Sequence, residues 1–165
     1  MTFLVKPNVI RDISHGVHDF RIDGYFIHYI TIKTREKKNY FCKLTEEGFT
    51  EKTEGKILLK AWKELPSKFA NCTLGDFRIF PNEFHGILIF ERTENFTSAE
   101  KQIPVIIGAF KSRAARLINL MHGKHNRIIW NNIYGDTKIE YFSELRDLLV
   151  FLSAGKPLNS FSNKS

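Results

Sequence analysis

Two apolar runs split by a proline–asparagine step constrain this chain most. "DFRIF" (76–80) and "HGILIFER" (85–92) are of strand length, and Pro81–Asn82 supplies a tight turn between them. The spacing predicts two strands paired as an antiparallel hairpin. Side chains two apart on a strand share a face, so Glu83 and His85 point one way and Phe84 the other.

The remaining elements fall around that hairpin. Residues 24–33, "GYFIHYITIK", are rich in aromatic and β-branched types and read as a strand, and the polar, basic run 34–43 suits a turn. Leu58, Ala61, Trp62 and Leu65 recur at helical spacing over about 53–65, with Pro66 as the stop. A strong amphipathic helix is expected over 103–120, with Pro104 in its first turn, followed by a short strand at 127–130. A last helix is expected over 143–152, with apolar Leu145, Leu148, Leu149 and Leu152 and Ser143 as its N-cap.

Strand, helix, strand, strand, helix, strand is the order of a split β-α-β-β-α-β arrangement. The expected class is therefore α+β: a ferredoxin-like antiparallel sheet with both helices on one face, plus a C-terminal helix. The other face is left for a ligand or for that last helix. The expected division is an N-terminal extension at 1–23, the domain at 24–153 and a flexible tail at 154–165.

Composition narrows the function classes. Lys and Arg number 25 against 18 acids, a net charge of +7, which favours a polyanionic partner. No apolar run approaches the roughly 20 residues of a membrane span, and the first residues lack the apolar core of a signal peptide. A cytoplasmic protein is expected. Cys42 and Cys72 stand apart, so neither a zinc knuckle nor a disulfide framework is indicated. Gly-rich phosphate loops and G-x-S-x-G elbows are absent. "HGVH" (15–18) and "HGKH" (122–125) contain glycine in expected loops and read as surface histidines, while His28, inside the first strand, reads as a satisfied core histidine.

Basic residues gather in two places: Lys33, Arg35, Lys37 and Lys38 after the first strand, and Lys111, Arg113, Arg116, Lys124 and Arg127 in a stretch with no acid. Unopposed cations on one face suit a phosphate backbone.

Four segments, in order, resemble one family. "YFIHYITIKT", "LLKAWKELPSKFANCTLGDFRIFPNEFHGILIF", "GAFKSRAARLIN" and "IIWNNIYGD" are similar to segments of the REP-associated tyrosine transposases, relatives of the single-strand insertion-sequence transposases. The resemblance implies a ferredoxin-like fold and single-stranded or hairpin DNA as partner. It also implies a divalent metal held by two histidines flanking a hydrophobic residue, and a tyrosine that attacks the scissile phosphate to give a phosphotyrosine link.

The chain departs from that pattern at the points that matter for chemistry. Glu83 stands where the first motif histidine falls, leaving His85. Aligned from Trp130 to Asp136, the nucleophile position falls on Gly135, with Tyr134 one residue before it. Thr137 and Lys138 follow where the family often has histidine and an apolar residue. A carboxylate–imidazole pair at Glu83 and His85 suits magnesium or manganese. The expected function is a transposase-family DNA-binding protein, nucleoid-associated and either monomeric or dimeric, with impaired strand transfer. The alternatives are an active nicking enzyme using Tyr134 and an RNA-binding or regulatory module.

Overall fold

The computed structural model describes residues 19–154. Within them, β1 (Tyr25–Thr34) runs into a short 3-10 turn (Arg35–Lys37), followed by a small hairpin of β2 (Cys42–Thr45) and β3 (Gly48–Glu51). Then come α1 (Thr53–Lys63), a single turn α2 (Leu65–Lys68), β4 (Cys72–Ile79), β5 (Glu83–Glu91), α3 (Ile103–Met121), β6 (Trp130–Ile139) and α4 (Phe142–Ser153). The main sheet is antiparallel throughout, in the order β4-β5-β1-β6. This is the expected split α+β arrangement.

Each sheet face is covered by a different set of helices, and strand parity decides which residue goes where. Phe26, Ile30 and Ile32 of β1 and Phe84, Leu88 and Phe90 of β5 join α1 and α3 in the larger core. Trp62 of α1, Phe110 of α3 and Phe84 interlock at its centre, with Trp62 4.7 Å from Phe84 and 5.3 Å from Phe110 between ring centroids. Burying an aromatic of this size stabilises by about 1.5–3 kcal/mol. Gly86 is small for a reason, since a β-carbon there would press into the Trp62 ring. On the opposite face, Ile27, Ile87, Ile89 and Ile139 pack against Leu145, Leu148 and Leu152 of α4. The last helix therefore covers the second face. With cover on both sides, β5 is buried from Phe84 to Phe90, which is why its sequence is continuously apolar.

Several boundaries differ from expectation. The expected strand at 127–130 is instead β6, a ten-residue strand that begins at Trp130. Only its ends, Trp130 and Ile139, are buried, so this polar edge strand has no apolar alternation to announce it. Pro66 lies in the first turn of α2 rather than ending α1. The N-cap of α4 is Tyr141, whose backbone amide donates to the Glu144 carboxylate at 3.0 Å; Ser143 instead bonds Asp19. "HGVH" and the tail from 155 lie outside the described residues. No helix among those described is long and apolar enough to cross a membrane.

Candidate functional site

Strand register fixes which side each candidate residue faces. Thr31 of β1 pairs with His85 on one side and Gly135 on the other, and His85 pairs in turn with Arg78 of β4. Directly paired residues share a face, so Gly135, Thr31, His85 and Arg78 form one row across the sheet, beneath the face that carries α4. Glu83 pairs with Lys33 one row further along on that same face. Glu83 and His85 do point the same way.

Tyr134 does not join them. It pairs with Ile32 and packs against the larger core, on the opposite side of the sheet. The segment is a strand, so a shift of one residue from Gly135 turns the side chain to the other face, not by the ~100° of a helical step. A phosphate held at Glu83 and His85 is therefore screened from the Tyr134 hydroxyl by the sheet itself. Burial, and then the Asp136 carboxylate, push that phenol above its ordinary value, so it stays protonated.

Glu83 and His85 belong to a chain of hydrogen bonds. The Tyr29 hydroxyl lies 2.5 Å from His85 Nδ1, and His85 Nε2 lies 2.8 Å from Glu83 Oε2. Burial pulls His85 below the ordinary imidazole range despite Glu83, and burial pushes the Tyr29 phenol up. His85 is then neutral: it accepts from Tyr29 at Nδ1 and donates its Nε2–H to Glu83. Phe80 (4.8 Å) and Phe151 of α4 (5.7 Å) close over the imidazole, leaving His85 8% exposed. Arg78 fastens that cover by donating from Nη1 to the Phe151 carbonyl at 3.0 Å, with its guanidinium carbon 4.5 Å from the Phe80 centroid.

These donors do not fit a divalent ion. Both imidazole nitrogens are engaged, Lys33 Nζ sits 3.7 Å from Glu83 Oε1, and Arg78 flanks from β4. Among the described residues no three of His, Cys, Asp and Glu cluster as a metal set. A hard ion wants several oxygens and no adjacent ammonium.

The basic residues divide into two groups. Lys111 Nζ donates to the Asn131 carbonyl at 2.8 Å, Arg113 meets Glu64, just past the end of α1, at 3.3 Å, and Arg127 Nε donates to Asn119 Oδ1 at 3.1 Å. Arg127 also donates to His122 Nδ1 at 2.7 Å, and His122 reaches the buried Glu54 at 2.8 Å. Arg113 and His122 in the stretch without acids are thus met by Glu64 and Glu54, from in and just after α1, which the local sequence could not reveal, and His122 is tied in rather than loose on the surface. The second group faces water. Arg35, Lys37, Lys38, Arg116 and Lys124 are exposed, as is Lys33. The fold joins the turn after β1 to the segment before β6, where the Arg35 amide donates to the Ile129 carbonyl at 2.9 Å.

His28 is a satisfied core histidine, 4% exposed, with Nδ1 2.8 Å from Asp136. The thiols are buried, Cys42 pushed up to about 11 and Cys72 to about 12 by burial, and neither is poised as a nucleophile. Sequence reading missed Tyr29 and Arg78, which reach His85 from the two neighbouring strands.

No family model and no curated protein sequence matches the chain. Solved structures do. A REP-associated tyrosine transposase bound to a REP hairpin superposes with a TM-score of 0.53 at 15% identity, over 88% of this chain and 74% of that one. A protein of Deinococcus radiodurans R1 provisionally named a transposase gives 0.49 at 14% identity, over 85% of this chain and 95% of that one. The likeness to the first is one of fold, and it agrees with the split β-α-β-β-α-β reading.

Proposed function

We propose that this chain is a DNA-binding protein on the transposase fold, which holds single-stranded or hairpin DNA at its basic end and does not cleave it through Tyr134. The observation that carries binding is the exposed basic turn from Arg35 to Lys38, joined by the Arg35–Ile129 bond to the segment before β6 that carries Arg127. Exposed cations on one surface attract a phosphate backbone through counterion release. That the REP-associated tyrosine transposase of like fold is bound to a REP hairpin supports a hairpin as the ligand. A cytoplasmic, nucleoid-associated location goes with this reading.

Loss of cleavage rests on the opposed faces of Tyr134 and the Glu83–His85 pair. In-line attack needs oxygen and phosphorus about 3–3.5 Å apart. The pair is better suited to holding α4 against the sheet, through the Tyr29–His85–Glu83 chain and its aromatic cover.

The test is a titration of labelled stem-loop DNA, the same sequence as RNA, and a blunt duplex, each run with manganese and resolved on a denaturing gel. Stem-loop DNA is expected to bind tightest, with no covalent protein–DNA species. Preference for the RNA would favour an RNA-binding module. An adduct lost in Tyr134→Phe would restore the nicking enzyme.

A further inference from the structure

Among the described residues, three that are not glycine hold positive φ: Glu36 at 57°, Lys37 at 54° and Asn126 at 54°. Left-handed backbone is disfavoured for residues with a β-carbon, asparagine least so, and two in succession at Glu36 and Lys37 are unusual. Such outliers persist only where surrounding bonds impose them. Here Thr34 Oγ1 donates to the Lys38 carbonyl at 2.8 Å, and Asn82 Nδ2 to the Lys37 carbonyl at 3.4 Å. The Arg35–Lys38 turn and the 124–129 segment, far apart in sequence, meet through the Arg35–Ile129 bond.

Between them lies a notch of about 230 Å³ lined by Arg35, Glu36, Lys38 and Ile128. It is smaller than the ~300 Å³ at which small-molecule pockets begin, so it suits one group of a larger ligand. Its chemistry is two cations and one carboxylate beside an apolar side chain, with Ile128 56% exposed.

We infer that this notch takes one nucleotide unit of a single strand, its phosphate between Arg35 and Lys38 and its sugar against Ile128. The inference rests on the DNA-binding reading and gives it a point of contact. Arg35 supplies a planar fork for phosphate oxygens and Lys38 a point charge. The turn is held by its own hydrogen bonds before any ligand arrives, so little ordering is required on binding. One group opposes the ligand: Glu36, whose carboxylate lies 3.9 Å from Lys38 Nζ and must swing aside.

The opposing carboxylate makes the site testable. The probe is a labelled DNA stem-loop with a single-stranded oligo-dT flank, measured by fluorescence anisotropy across salt, beside the same stem without the flank. Arg35→Gln with Lys38→Gln should weaken flanked-probe binding about tenfold and flatten the salt slope by about 0.7 per lost phosphate contact. Glu36→Gln should tighten binding of the flanked probe. Ile128→Ser should weaken it with the slope unchanged, and should leave the blunt stem alone. All four side chains are exposed, and circular dichroism checks that each variant folds. Hydrogen exchange gives an independent measure, since amides at 35–38 and 127–129 should slow when the flanked probe is added. If the wild type binds DNA but none of these changes follows, the notch is wrong and the DNA-binding reading stands. If the double variant weakens binding while Glu36→Gln and Ile128→Ser do nothing, the cations act as a diffuse surface and the notch is again overturned. If the wild type binds neither probe, both readings fall.

Discussion

Gly135 and His85 stand in one cross-strand row, each paired with Thr31 and facing the same side of the sheet. Tyr134 faces the other side. Gly135 thus faces the side of Glu83 and His85 without a side chain, while the neighbouring tyrosine faces away from them. Tyr134→Phe should leave DNA binding unchanged, and it should match the parent in forming no covalent adduct with stem-loop DNA in manganese. A parent adduct that disappears in Tyr134→Phe would show that the phenol reaches a phosphate by some other route.

The same row sets the terms for placing a tyrosine on the face of Glu83 and His85. A β-carbon at Gly135 would fall on Thr31 Oγ1. Gly135→Tyr alone should therefore destabilise the fold by ~1–3 kcal/mol, the usual cost of overpacking. Thr31→Ala should recover most of that loss, as read from urea melts. Equal stability of Gly135→Tyr with and without Thr31→Ala would mean that the row is looser than its register implies.

What was legible in the sequence follows from which contacts are local. Glu83 and His85 could be placed together because a strand repeats every two residues, and β5 could be found because both its faces are covered. The β2–β3 hairpin was hidden inside an expected turn and the residues after it: Leu44 is 76% exposed and Phe49 53%, so no buried face marks it. β6 was hidden for the same reason, since an edge strand of Asn, Gly, Asp and Lys carries no alternation. Tyr29 and Arg78 reach His85 only through register with β1 and β4. The acids that oppose Arg113 and His122, Glu64 and Glu54, come from a distant part of the chain, in and just after α1. Spacing along the chain holds no record of such partners.

His85 should make stability depend on pH in a narrow window. Burial lowers its folded value below the unfolded 6.5, so between those two values the unfolded chain binds more protons. Stability then rises with pH through the window. The contribution is complete above about pH 6.5 and is lost as pH falls through the lower folded value. Thermal melts should drop between neutral and mildly acid pH, and His85→Asn should flatten that part of the profile. An unchanged slope in the variant would assign the proton uptake to another group.

Arg127 and Lys124 are three residues apart, yet they should behave differently. Arg127 is half-buried and bonds Asn119 and His122, with its guanidinium carbon 5.3 Å from the Tyr40 centroid. Arg127→Ala leaves Asn119, itself buried, without that donor and should cost ~1–3 kcal/mol of stability. Lys124 is exposed and makes no ion pair among the described residues, so Lys124→Ala should leave the melting temperature unchanged. If Lys124 contacts a phosphate, its loss should instead reduce the salt slope of DNA binding by about 0.7–0.9. A stability loss in Lys124→Ala as large as that of Arg127→Ala would erase this division between structural and binding cations.

Manganese and magnesium should find no saturable site at Glu83 and His85. To serve as a ligand, His85 would have to give up either its bond from Tyr29 or its bond to Glu83, under the cover of Phe80 and Phe151. Glu83 would remain the single anionic donor, with Lys33 Nζ 3.7 Å away. Magnesium keeps its waters and favours carboxylate oxygens in octahedral array, which one half-buried glutamate cannot supply. Calorimetric titration at pH 7.5 should give the same featureless heats for the parent, Glu83→Ala and His85→Ala. His85→Ala should still lower the melting temperature, because removing the imidazole leaves the Tyr29 hydroxyl and Glu83 without their shared partner, at a cost of ~1–3 kcal/mol. Saturable manganese binding in the parent that vanishes in both variants would instead make the pair a working metal site, with Tyr29 and α4 displaced when the ion enters.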